Sequence, residues 1–278
     1  MRIDAHQHFW KMERGDYGWL TPDLTRIYRD FAPPDLAPFL TRHGIDGTIV
    51  VQAAPTIAET EYMLSLVEEA RFIKGVVGWV DFESATAPAD IERLAQHPSL
   101  VGLRPMIQDI EDVDWMLRDD LTPAFDALKA ANLTFDALTL PPHLPNLSQL
   151  LARHGDMRTV IDHGSKPYIA DGLIGDWATE MAALAAETNA YCKLSGLVTE
   201  AAQSWTVNDL RPYVDHLLST FGPERLIWGS DWPVCTLAAT YDRWVEATDA
   251  LLKDLNENER AAVLGKNAAA AYRLADMA

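Results

Sequence analysis

Cysteine is nearly absent: 278 residues hold two, Cys192 and Cys235. That excludes a disulfide scaffold and fits a reduced, cytoplasmic protein. Positive charge is also scarce. Lys and Arg number 23 against 41 Asp and Glu, leaving a net charge of −18. A nucleic-acid or anionic-membrane partner needs a basic surface, so neither is expected. No apolar run approaches the roughly 18 residues a membrane helix requires. The opening "MRIDAHQHFW" has no apolar core of a signal peptide. Repeats, low-complexity tracts, Gly/Ser linkers and blocks of like charge are missing too, which removes solenoids, tethered modules and scaffolds from consideration. What remains is a single domain over 1–278, 48% hydrophobic and able to build a large core.

Short β-branched runs alternate with helical patterns along the whole chain. The predicted strands are 2–7, 46–53, 74–81, 100–106, 133–140, 158–164, 190–196 and 225–231. Helical patterns such as "PDLAPFLTRHG", "IAETEYMLSLVEEARF", "LTPAFDALKAAN" and "DWATEMAALAAET" lie between them. Two further helices, "TYDRWVEATDALLKDL" and "NENERAAVLGKNAAAAYRL", close the chain. Eight such repeats of strand and helix, with strands apolar on both faces, predict an α/β fold: a (β/α)₈ barrel with C-terminal helices. A doubly wound open sheet is the alternative. It would carry a Gly-rich nucleotide turn after the first strand, where this chain reads "HQHFW".

In a barrel, functional groups gather at the C-terminal strand ends. Those ends carry His6 and His8, Gln52, Arg104, Asp162 and His163, Lys193, and Ser230 with Asp231. Residues two apart on a strand share a face, so His6 and His8 project together into the mouth. Two imidazoles with one or two more donors suit a divalent ion. His163 and Asp231 stand where they can supply those donors, and Asp231 can instead, or as well, take a proton from water. Taken singly, His163 could be structural and Asp231 could hold a turn. Their joint arrival with the His-x-His pair points to a site. His43, His97, His143, His154 and His216 fall in helical or loop stretches and read as surface or packing residues.

"RIDAHQHFW", "GLRPMIQD", "VIDHGSKP", "CKLSGLVTE" and "WGSDWPV", spread over residues 3–234, together resemble the amidohydrolase superfamily, and within it the sugar-lactonase branch. The resemblance implies a (β/α)₈ barrel and hydrolysis of a lactone by water, with His6, His8, His163 and Asp231 as catalytic core. Many two-metal members carry a bridging lysine at the end of strand four. Here that strand ends in Arg104, so the resemblance implies one divalent ion at most, zinc before manganese, on His6, His8, His163 and Asp231, or none. A sugar lactone offers hydroxyls and one carbonyl to donors at the mouth, which makes Arg104, Gln108, Gln52 and Lys166 substrate-binding candidates. Lys193 pairs with a carboxylate or reaches the substrate. The loop "FWKMERGDYGWLTPDL" brings Trp10, Tyr17 and Trp19, either as a sugar-stacking lid or as a hydrophobic plug. Cys235 reads as packing. Rival functions are a metal-dependent amide or imide hydrolase or decarboxylase on the same barrel, and a non-catalytic sugar-binding barrel. The sequence specifies no oligomeric state.

Overall fold

The computed structural model describes residues 1–274, so the last four residues of the predicted domain lie outside it. Eight parallel strands run in sequential order: β1 (Ile3–Gln7), β2 (Gly47–Val51), β3 (Ile73–Gly78), β4 (Leu100–Leu103), β5 (Thr134–Ala137), β6 (Thr159–Ile161), β7 (Tyr191–Leu194) and β8 (Leu226–Trp228). The helices outside them are α1 (Pro33–His43), α2 (Ile57–Glu69), α3 (Ala87–Leu94), α4 (Thr122–Ala130), α5 (Leu144–Arg153), α6 (Gly175–Glu187), α7 (Val207–Phe221) and α8 (Tyr241–Leu251). This is the expected (β/α)₈ barrel. No helix among the described residues is long and apolar enough to cross a membrane.

Local chemistry sets the helix ends. α1 starts on Pro33 and Pro34, where no intrahelical N–H is needed, and stops at Gly44 in the left-handed region. The Thr56 hydroxyl caps α2 by accepting from the Glu59 N–H at 3.1 Å. The closing helix is broken rather than continuous. α9 (Glu257–Ala261) passes through a π-turn at 262–266 before α10 (Asn267–Ala271). At Gly265 a Cβ would lie 2.4 Å from the Met1 carbonyl oxygen, so the turn is wedged against the start of β1.

Two apolar layers hold the barrel. Val50, Phe135, Cys192, Leu194 and Trp228 face the helices. Ile3, Ala5, Ile49, Val51, Val77, Val160 and Ile227 face inward and pack on Ala268, Ala271 and Tyr272, so α10 and Tyr272 plug the lower end. Cys235 is buried and unpaired, as its packing role requires.

The ring closes at a seam with little ladder. β1 meets the segment just past β8 through an isolated bridge between Gln7 and Trp232. Just above, Asp231 N–H donates to the His6 carbonyl and His8 N–H to the Trp232 carbonyl, both at 2.7 Å. Asp4 reinforces the seam: its carboxylate accepts from Ser230 N–H at 2.7 Å and from the Tyr241 hydroxyl at 3.0 Å. Burial pushes that carboxyl up to about 6.

Candidate active site

Seven of the eight strands end earlier than the sequence suggests, and after two of them, β6 and β8, the chain turns left-handed to present side chains. His163, Gly164, Ser165 and Lys166 all have φ between 51° and 59°, a left-handed turn after β6. Asp231, after β8, has φ 57°. Non-glycine residues rarely adopt this region, and each costs of order 1–2 kcal/mol. Such strain concentrated at one rim is typical of a working site.

The two first histidines reach the interior through a β-bulge. Asp4 pairs with Thr48 and Gln7 with Val50, so three steps on β1 oppose two on β2. The extra residue breaks simple alternation. Asp4 turns outward to Tyr241 of α8, whereas His6 turns inward. The expected pairing of His6 and His8 holds, with ring centroids 5.0 Å apart.

His6 has no exposed surface. Its Nδ1 lies 3.2 Å from Lys193 Nζ, and its Nε2 faces Arg104 at 3.4 Å and Asp231 at 3.7 Å. Burial, aided by the Lys193 ammonium, keeps the ring neutral. Burial likewise lowers His163 to about 4. The His163 Nδ1 shares a hydrogen bond with the Ser195 hydroxyl at 2.8 Å, leaving Nε2 for the site. Donor atoms of His6, His163 and Asp231 all lie within 4.8 Å of one another. Two neutral imidazoles and one carboxylate fit a divalent ion such as zinc.

His8 stands apart from that cluster. Its Nδ1 lies 2.7 Å from the Val51 carbonyl, which can only accept, so Nδ1 carries a proton. Its Nε2 faces Asp231 Oδ1 at 3.2 Å. Of the four residues expected from sequence, His6, His163 and Asp231 form the donor cluster, and His8 contacts Asp231. Burial would push the Asp231 carboxyl up. The surrounding imidazoles and the His8 contact instead hold it below the usual carboxylate range.

Beneath these groups lies an ionic floor. Lys193 has no exposed surface, and its Nζ contacts Asp136 at 2.6 Å and Asp162 at 2.8 Å. Arg104 reaches Asp162 at 3.2 Å and donates to the Gln52 carbonyl. The Tyr272 hydroxyl rises from the plug to donate to Asp136 at 2.7 Å. Burial pushes Asp136 up against the pull of Lys193, whereas Lys193 and His6 overcome burial at Asp162 and hold it well below the ordinary range.

A cavity of about 180 Å³ opens above, lined by His8, His163 and Asp231 with Arg104, Gln108, Lys166 and Trp19. Two sequence candidates do not line this cavity. Gln52 is buried behind the wall, its amide donating to the Arg104 carbonyl at 2.7 Å. Lys193 lies under His6 and takes the carboxylate-pairing role. The aromatic loop divides between its two readings. Trp10 and Tyr17 are buried in the plug, whereas Trp19 borders the cavity and donates from Nε1 to the Ala53 carbonyl at 2.6 Å.

Sequence reasoning missed Asp136, Ser195, Gly196 and Tyr272. Asp136 was visible in principle as a lone carboxylate in the apolar strand "LTFDALTL". Gly196, at φ 65°, leaves no room for a side chain: a Cβ would sit 2.5 Å from His163 Nδ1 and 2.7 Å from Cγ. Gly196→Ala should move the ring and lower kcat/KM about 100-fold, the scale for a reacting group displaced by about 1 Å. Steady-state kinetics beside thermal unfolding checks this, and a rate within threefold of wild type contradicts it.

A sequence model of the amidohydrolase family matches residues 3–274. L-fucono-1,5-lactonase of Burkholderia ambifaria is 47% identical over 277 residues, spanning 98% of this chain and 96% of that protein. L-fucono-1,5-lactonase of Burkholderia multivorans is 37% identical, spanning 100% of this chain and 98% of that protein. The crystal structure of an amidohydrolase from Burkholderia multivorans with bound zinc superposes with a TM-score of 0.92 at 35% identity, covering 99% of this chain and 100% of that one.

Proposed function

Because this chain belongs to the amidohydrolase family, we propose that it hydrolyses a sugar-acid lactone of the L-fucono-, L-rhamnono- or a related series. The observation that carries the reading is Asp231: an ionised carboxylate in a small cavity, flanked by His8, His163 and Arg104. The two relatives named as L-fucono-1,5-lactonases support the substrate class.

Asp231 takes a proton from water as the water oxygen bonds to the lactone carbonyl carbon. Negative charge then builds on the carbonyl oxygen. The donors at hand are the Arg104 guanidinium and, with its proton on Nε2, His163. The carbon–oxygen bond of the ring breaks, and the proton passes from Asp231 to the departing ring oxygen. His8 Nε2, oriented by the Val51 carbonyl, supports Asp231 as its charge changes. Lys166 and Gln108 border the cavity where substrate hydroxyls would lie. A divalent ion, zinc before manganese, would be held by His6, His163 and Asp231 and would supply Lewis-acid polarisation of a carbonyl.

A pH-indicator assay across L-fucono-, L-rhamnono- and D-galactonolactones tests the proposal. Turnover well above the spontaneous rate in one stereochemical series is expected. Folded protein, supplied with zinc or manganese, that turns over none of them would shift the reading to an amide or decarboxylation substrate.

A further inference from the structure

The reaction cavity does not end at its own wall. A second cleft of about 310 Å³ lies beside it, and both are bordered by Met106 and Asp109. The loops after β2, β3 and β4 form this cleft. Trp79 and Ile110 supply its apolar surface, with the carboxylates of Asp81 and Glu83 at its edge. Trp79 is only half-buried.

Position in the ring gives the cleft its direction. β4 stands four strands away from β8 in the barrel, directly across the mouth. A lactone whose carbonyl lies at Asp231 therefore points its far end towards Met106 and Asp109. In a six-membered 1,5-lactone, the atom opposite the carbonyl carbon is C4. A substituent on the C4 oxygen would cross the sill into the second cleft.

Charge says what could sit there. The reaction cavity holds the cations Arg104 and Lys166, suited to a product carboxylate. The second cleft offers Asp81, Glu83 and Asp109, which repel an anion but accept hydrogen bonds from hydroxyls. One Glu83 oxygen is already held by Trp115 Nε1 and by Arg118, each at 2.7 Å, which leaves the other for a ligand. An indole face beside acceptor oxygens is a surface on which a neutral sugar ring can lie, its C–H face on the aromatic and its hydroxyls on the acids.

We propose that the cleft between Trp79 and Met106 is a subsite for a neutral glycosyl group on the C4 oxygen of the lactone, so that lactones of 1→4-linked disaccharide acids are substrates. This rests on the lactonase reading. The test measures kcat/KM for a 1,5-aldonolactone and for the same lactone glycosylated at O4, in wild type, Trp79→Ala and Ile110→Trp. The wild type should prefer the glycosylated lactone at least threefold. Trp79→Ala should lower the ratio of the two kcat/KM values about tenfold by removing the stacking face. Ile110→Trp should lower it similarly by filling the cleft, which covers the case that one variant fails to fold. Turnover of the simple lactone alone, or a ratio unmoved in both variants, overturns the subsite and leaves the lactonase reading intact. Turnover of neither lactone overturns both.

Discussion

Asp231→Asn should reduce lactone turnover about 10²–10⁴-fold, the usual contribution of a general base. The substitution is well suited to the question. Asparagine keeps the shape of the carboxylate and tolerates the left-handed backbone that this position adopts at φ 57°. Its carboxamide can still hydrogen-bond to His8 Nε2, which lies 3.2 Å from Asp231 Oδ1. The fold should survive, and thermal unfolding should stay close to wild type. Only the capacity to take a proton goes. Initial rates, measured beside a melting curve, separate the two effects. A variant that keeps more than a tenth of wild-type kcat removes Asp231 from the role of base. The wild-type pH profile carries a linked expectation. The surrounding imidazoles and the His8 contact outweigh burial and hold the carboxylate below its ordinary range, so Asp231 stays deprotonated as the pH falls through that range. Its loss as a base should therefore begin at a lower pH than for an ordinary aspartate.

The second large effect is on stability. Lys193→Met should destabilise the protein by about 3–5 kcal/mol, the cost of removing one partner from a buried ion pair. Lys193, Asp136 and Asp162 have no solvent exposure. Methionine fills much the same volume but leaves two carboxylates facing each other and the His6 ring. Denaturant unfolding at neutral pH measures the loss, and a change under about 1 kcal/mol would contradict the account. The sign of the pH dependence follows from Asp136. Its carboxyl is already pushed up by burial, and loss of the ammonium would push it further. Between the ordinary carboxylate value and the raised one, the folded variant holds a proton that the unfolded chain does not. Stability of the variant should therefore rise as the pH falls through that window. Adding Asp136→Asn should recover part of the loss, because it removes one of the uncompensated charges.

The fold was readable because a parallel barrel writes its strands as short apolar runs at regular spacing. Every predicted strand corresponds to an observed one. Most predicted strands ran long at their C-terminal ends, and at 158–164 and 225–231 burial continues past the ladder into backbone that turns left-handed. Periodicity reports burial and says little about the sign of φ. His6, His8, His163 and Asp231 could be chosen because strand ends point to one face. The division of labour among them could not, since it depends on where each ring nitrogen finds a partner. Val51 supplies a carbonyl to His8, and Ser195 supplies a hydroxyl to His163. From its place on β7, Lys193 had two readings, pairing with a carboxylate or reaching the substrate. Only the position of Asp136, on a strand two places round the ring, shows that its ammonium is engaged within the barrel.

The sparse seam between β1 and β8 also governs when the site can exist during synthesis. His8 and Asp231 are 223 residues apart in the chain. At ~5–20 residues per second, a ribosome needs roughly 10–45 s between making the two. Throughout that interval β1 has β2 to pair with on one edge and nothing on the other. The nascent protein can assemble most of its wall while holding no complete site, and becomes competent for chemistry only when its eighth strand arrives to meet the first.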